Sequence, residues 1–225
     1  MNFFDQLQAQ TASERAYLLG APVIAHAMEG RVTVGDYIAF LTQAYHHVKH
    51  TVPLLMACGA RLPDRLEWLR AAVAEYIDEE YGHQEWILND IKACGGDVDA
   101  VRGGEPGLAT ELMVSYVYDR IHRHNPVSFF GMVNVLEGTS IQLATRAAGH
   151  IREALGLPHT AFSYLSSHGA LDLDHIQLFA GLVNRLDDEG DRQAVLHTAR
   201  VVYRLYGDMF RALRPAERPV AAMAA

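Results

Sequence analysis

The stretch between Asn125-Pro126 and Gly156-Leu157-Pro158 constrains this chain most. Two breakers bracket it, and one long helix is predicted from Pro126 to about Leu155. Its first part, Phe129-Phe130-Gly131-Met132-Val133-Asn134-Val135-Leu136, is nearly all apolar and is followed by Glu137-Gly138. The apolar run at 127–136 walls a greasy cavity or packs into a core; sequence allows either. An ionised carboxylate in such surroundings is costly unless it is paired or bound to a cation. A salt bridge to an arginine such as Arg146 is the structural explanation, and metal ligation is the functional one.

The other segments are helical as well. Residues 3–18 space Phe, Leu and Tyr at helical intervals. Gly20 and Pro22 punctuate, and 22–29 reads as a short helix stopped by Gly30. Thr33 reads as an N-cap with Asp36 in the first turn. The period then holds to about Ala60, with Pro53 expected to kink the helix or end its first half. A helix is predicted from Asp64 to about Cys94, ended by Gly95-Gly96. The glycine-containing segment 97–107 reads as the clearest loop. Helices follow at about Leu108–His124, 159–186 and 191–213, and the Pro- and Ala-rich tail after Pro215 is expected to fray. No alternating strand pattern is present, so the fold class is all-α, one domain of about seven helices.

Half of the 225 residues are hydrophobic, enough for a sizeable core, and no run of apolar residues is long enough to span a membrane. The first residues, Met-Asn-Phe-Phe-Asp-Gln-Leu-Gln, do not read as a signal peptide. Cys58 and Cys94 form neither a CxxC pair nor a disulfide framework, which fits a reducing cytoplasm. The formal charge of −8 argues against nucleic acid as a partner. Twelve histidines prove nothing by number; their placement is what matters.

Three clusters carry chemistry. In Ser167 to Gln177, His168, Asp172 and His175 are spaced i, i+4, i+7 and fall within roughly 60° of one helical face. Two imidazoles and a carboxylate on one stripe suit a first-row metal ion; a solvated polar face is the plain alternative. Glu80 and His83 form Glu-x-x-His on the helix from 64, a pair also found in carboxylate-bridged di-iron bundles. Here the plain alternative is an acidic surface, and Glu79, at i, i+4 to His83, is geometrically interchangeable with Glu80. Glu137 completes the set. Gly82, Gly138 and Gly169 lie beside these clusters, each at about 1 kcal/mol relative to Ala in a helix, and suggest close approach or bending. Glu80, His83, Glu137, His168, Asp172 and His175 offer three histidines and three carboxylates. Mixed N/O ligation with open positions suits Fe(II) or Mn(II) better than structural zinc.

These motifs resemble the haem-oxygenase-like di-iron oxidases and oxygenases, relatives of the TenA and PqqC proteins. That group includes a fatty-acid decarboxylase forming 1-undecene, N-oxygenases and a chlamydial protein of p-aminobenzoate formation. Glu80-Tyr81-Gly82-His83, Leu136-Glu137-Gly138 and His168-Gly169-Ala170-Leu171-Asp172-Leu173-Asp174-His175 match its pattern in order and separation. The resemblance implies a seven-helix haem-oxygenase-like bundle over 1–214 with a flexible tail at 215–225. It implies two irons per chain, bridged by Glu137, with the second weakly held, and dioxygen as co-substrate. The implied activity is oxidation of a small organic acid, amino acid or lipid-like substrate, in the cytoplasm, with a homodimer plausible for the fold. The alternative is a metal-free TenA/PqqC-like protein that binds or transforms a small heteroaromatic compound. A TenA-type thiaminase would need a pocket cysteine, and a haem oxygenase an early proximal histidine, for which His26 is the candidate.

Tyr45, His46 and His50 are the expected substrate-pocket residues, with His46 and His50 on one helical face; second-shell contact to the ligands is the other role for these histidines. His47 reads as partly exposed. Lys49 or Arg146 could hold a substrate carboxylate. Tyr45, Tyr76, Tyr116 and Tyr164 read as core aromatics.

Overall fold

The structure, a computed structural model, describes residues 1–213, and within them every side chain except those at 142, 145 and 168–175. The tail expected to fray lies outside the described residues. The described residues form twelve α-helices and three single 3-10 turns, with no strand among them. The helices are α1 (Phe3–Gln10), α2 (Ala12–Leu19), α3 (Pro22–Met28), α4 (Val34–Val48), α5 (Thr51–Arg61) and α6 (Glu67–Glu80). They continue as α7 (His83–Ala93), α8 (Val98–Gly103), α9 (Leu108–Arg123), α10 (Phe129–Leu155), α11 (Ser163–Asn184) and α12 (Glu189–Ala212). No helix among the described residues is long and apolar enough to cross a membrane.

The all-α bundle expected from sequence is present, and the larger helix count comes from broken rods. Residues 3–18 divide at Thr11, whose hydroxyl bonds the Leu7 carbonyl at 2.7 Å and competes with the ladder. The rod from 34 divides at Lys49 and His50. Pro53 is the cause, because it has no N–H for the Lys49 carbonyl and its ring crowds that carbonyl. Thr33 caps α4 as its sequence promises, in a reciprocal box with Asp36: the Asp36 N–H donates to Thr33 Oγ1 and the Thr33 N–H to Asp36 Oδ2. The segment 97–107, read as a loop, contains α8, started by Asp97 accepting from the Ala100 N–H at 3.0 Å.

The predicted helix from 64 to 94 is the main correction. It is two helices, α6 and α7, separated by Tyr81 in extended backbone and Gly82 at φ 94°. That angle lies in the left-handed region, which costs residues with a Cβ about 1–2 kcal/mol. A sequence pattern cannot distinguish a tolerated helical glycine from one that ends a helix two-thirds of the way along the apolar period.

Two cores result. The larger gathers α5, α6, α9, the start of α10, the end of α11 and α12 around Phe130, Phe179 and Tyr203. The smaller gathers α4, α7, the end of α10 and the start of α11 around Tyr37, Ile87, Ile91 and Phe162. The long helix α10 serves both and packs along α11 and α12. Gly131 permits the α10–α12 approach, since a Cβ there would sit 2.5 Å from the Val195 carbonyl oxygen.

Candidate metal centre

A cavity of about 160 Å³ lies on the seam between the two cores. Phe40, Leu55, Phe129, Met132, Val133, Leu143 and Ile151 are among the apolar side chains that wall it. The ionisable groups on the described wall are Asp36, Tyr37, His47, Tyr76, Glu80, Glu137, Tyr164 and Tyr206, with no lysine, arginine or cysteine among them. The α10 residues on the wall recur once per turn from Phe129 to Ile151, so the greasy face read from the sequence does wall a cavity. Glu137 sits in that stripe because it falls one turn after Val133 and one before Ser140.

Glu80 reaches the same wall from the last residue of α6. Its carboxylate Oε2 lies 3.0 Å from His83 Nδ1. Both side chains are largely buried, 14% and 4% exposed. If Nδ1 carries the proton and donates to Glu80, Nε2 is left as the imidazole's lone-pair donor. The contact spans the Gly82 break, so the pair belongs to two helices and not to one helical face as the motif suggested. His83 opens α7, stacks on Trp86 with ring centroids 4.0 Å apart, and is not on the cavity wall. Glu79 is exposed.

Tyr76 joins the two carboxylates, one turn before Glu80 on α6 and on the same wall. Burial, then the negative charge of Glu137, then a hydrogen bond to Glu137 hold its phenol far above the usual range. Tyr76 therefore keeps its proton and faces the Glu137 carboxylate, a role its reading as a core aromatic did not contain. Its signal in sequence was the spacing of four to Glu80.

His168, Asp172 and His175 have side chains outside the described residues. Their backbone lies in the uninterrupted helix α11, so the i, i+4, i+7 register stands. Among the described residues, no group of three His, Cys, Asp or Glu could by itself hold a metal ion. A complete cage would need α11. What is described fits a hard cation: two carboxylates from different helices on a largely apolar wall, one beside a phenol and the other beside an imidazole.

The first turn of α11 is fixed from outside. Phe162, its N-cap residue, provides no side-chain cap. Asp90 of α7, fully buried, does so instead: the Ser163 N–H donates to Oδ1 at 2.9 Å, the Tyr164 N–H to Oδ2 at 2.9 Å, and the Ser163 hydroxyl also donates to Oδ1. Nothing in the local sequence of either segment announces this pairing.

The histidine cluster of α4 is distributed differently from expectation. His47, read as partly exposed, is 1% exposed, lines the cavity and meets the Tyr206 ring edge-on. Tyr45, His46 and His50 are not among the described wall residues. His46 is buried beside Lys49, at 3.3 Å from its Nζ, and His50 Nδ1 lies 3.2 Å from the Tyr118 hydroxyl. The rotation arises because α4 ends at Val48: His50 belongs to the link to α5, and the face of α4 turned inward carries Phe40, His47 and Val48. Lys49 and Arg146, considered as carboxylate holders, are also absent from the wall. Cys58 is buried in the larger core, where burial pushes its thiol up to about 12, and it donates to the Pro126 carbonyl. Neither Cys58 nor Cys94 reaches the cavity, and neither does His26.

Helices, cavity and seam together define a haem-oxygenase-like fold. The chain superposes on a domain of unknown function with that fold from Shewanella denitrificans, with TM-score 0.83 and 21% identity over 95% of this chain and 92% of that one. A TenA homologue from P. horikoshii follows at TM-score 0.78 and 9% identity, covering 95% and 98%. Haem oxygenase from Leptospira interrogans gives 0.74 and 16%, covering 94% and 100%. At such identities the likeness is one of fold. Sequence narrows it further: residues 38–207 match the model of the iron-containing redox enzymes, and the chain belongs to that family. Among curated proteins, none matches the chain in sequence.

Proposed function

We propose that this protein is a non-haem di-iron oxidase or oxygenase that uses dioxygen to oxidise a small organic acid, amino acid or lipid-like substrate. Glu80, His83 and Glu137 would hold one iron. His168, Asp172 and His175 would hold the other, with Glu137 shared, and manganese is the nearest substitute. The observation that carries this reading is the placement of Glu80 and Glu137 on the wall of a largely apolar cavity, with no lysine or arginine among its described residues. Family membership supports the choice of iron.

Iron bound here supplies one-electron chemistry and a binding position for dioxygen. The chain's own residues prepare the place. Tyr76 keeps its phenol proton beside Glu137 and would steady that carboxylate. His83 holds Glu80 at 3.0 Å across the Gly82 break. Phe129, Met132, Val133 and Leu136 exclude water from the carboxylates and receive the apolar part of a substrate. His47, which α4 brings to the cavity wall, is the imidazole among its described residues available to a substrate's polar group or a proton.

Anaerobic titration with Fe(II), followed by exposure to oxygen and optical spectroscopy, tests the proposal. Uptake approaching two irons per chain, a transient visible band and iron-dependent oxygen consumption are expected, each lost in His168→Ala. A protein that takes up no iron, or a His168→Ala variant that behaves as wild type, overturns it.

A further inference from the structure

We propose that Asp90 is a positioning residue for the iron site, acting by fixing the start of α11 against α7. The inference rests on the iron reading given above, and extends it to a residue that touches neither metal nor cavity. Three observations carry it. First, α11 begins without a cap of its own, so the N–H groups of its first two residues have no intrahelical partner. Second, the one described side chain that satisfies them is the carboxylate of Asp90, which is fully buried and accepts from Ser163 N–H, Ser163 Oγ–H and Tyr164 N–H. A negative charge at a helix N-terminus is also favoured by the helix dipole. Third, Asp90 lies seven residues after His83 on α7, so both occupy one face about 10 Å apart along the axis.

The geometry turns a cap into a gauge. Position 168 comes five residues after Ser163, about 7.5 Å along α11, and positions 172 and 175 follow on the same face. The axial position and rotation of all three are set by where the first turn is held. Asp90 holds that turn from the helix that presents His83. One carboxylate thus fixes the spacing between the two ligand-bearing helices, and the bidentate grip on consecutive N–H groups fixes rotation as well as height. The same grip orients the cavity wall, because the side chains of Tyr164 and Leu165 line it. A displacement of even about 1 Å is enough to degrade a site of this kind.

The test uses the full chain as wild type, Asp90→Asn, Asp90→Ala and Ser163→Ala. Two readouts are taken: amide hydrogen exchange without metal, and anaerobic Fe(II) uptake with the optical spectrum of the loaded protein. Asp90→Ala is expected to speed exchange over the first two turns of α11 by tenfold or more while α12 keeps wild-type protection. Its Fe(II) affinity is expected to fall about 10- to 100-fold. Asp90→Asn, which keeps one acceptor, should lie between, and Ser163→Ala should show the smallest change in the same direction. Unchanged exchange in α11 overturns the clamp whatever the iron result. Faster exchange with wild-type iron affinity and spectrum overturns the positioning role and leaves an ordinary cap. If Asp90→Ala fails to fold, Asp90→Asn and Ser163→Ala decide by the same two readouts. A wild-type chain that takes up no iron defeats the iron reading itself, and α11 exchange in the variants still reports on the clamp separately.

Discussion

Two buried carboxylate sites in this molecule are solved in opposite ways. At the start of α12, Asp191 is 1% exposed and meets protein donors on every side. Arg65 Nη1 and Nη2 approach its oxygens at 2.6 and 3.1 Å, Asn125 donates at 2.8 Å, and the Asp191 N–H is taken by Asp188. Burial alone would raise its carboxyl, but the Arg65 and Asn125 hydrogen bonds and the Arg65 charge outweigh it and hold the value low. In the cavity, Glu80 and Glu137 are surrounded by a wall with no arginine or lysine among its described residues, and their described neighbours are a phenol and an imidazole. A carboxylate whose charge the protein itself balances is architecture. A pair on a wall whose described residues include no lysine or arginine suits a cation from outside.

That contrast fails if the two sites respond alike. Glu137→Gln should cost the most in function, lowering iron-dependent oxygen consumption by roughly 100-fold or more, because the proposed shared ligand is lost. It should leave the thermal midpoint of the metal-free protein equal or higher, since a costly charge is removed; an oxygen electrode and a melting curve check both. Asp191→Ala should do the reverse. It should destabilise the fold by about 2 kcal/mol, below the usual cost of breaking a buried pair because Arg65 is half exposed, and leave Fe(II) uptake unchanged.

Acid sharpens the comparison. A depressed carboxyl in the folded state gives stability that is present above the unfolded value, near pH 4, and is lost as pH falls through the folded one. The stability gap between wild type and Asp191→Asn, measured by denaturant titration, should therefore be largest at neutral pH and close below pH 4. Tyr76→Phe should cost about 1 kcal/mol and weaken Fe(II) binding by roughly 10-fold, as loss of one oriented hydrogen bond does. Gly82→Ala should show the smallest effect on Fe(II) binding and cost about 1–2 kcal/mol of stability through backbone strain alone, because among the described residues no atom lies within 4 Å of the added Cβ. A larger loss of iron affinity than of stability in that variant would mean that the break also sets the Glu80–His83 contact.

Much of the fold could be read from local signals. Thr33 with Asp36, Pro126, Gly156 and Pro53 each act within one turn of themselves, and the structure places a cap or a break at or near each. Gly82 shows the limit, since only its φ separates a helix end from a helix interior. Gly138, singled out beside Glu137, has among the described residues only the Tyr203 hydroxyl near its missing Cβ, at 3.9 Å. The glycine that α10 needs for close packing is Gly131, which no polar neighbour flagged. For the site, Glu80 and Glu137 share a wall as their types and surroundings suggested, whereas His47, Tyr76 and Asp90 acquire their partners from helices distant in sequence. Period and spacing cannot carry that information.

The hold on α11 bears on how this chain tolerates change. The link from Gly156 to Phe162 is followed by a helix whose first turn is gripped by α7, not by the link. Residues added to or removed from the outer part of that connection, 156–160, would therefore alter the surface without shifting what lies downstream. Length variation between natural variants should gather there, while the segment between His83 and Asp90 keeps a fixed number of residues.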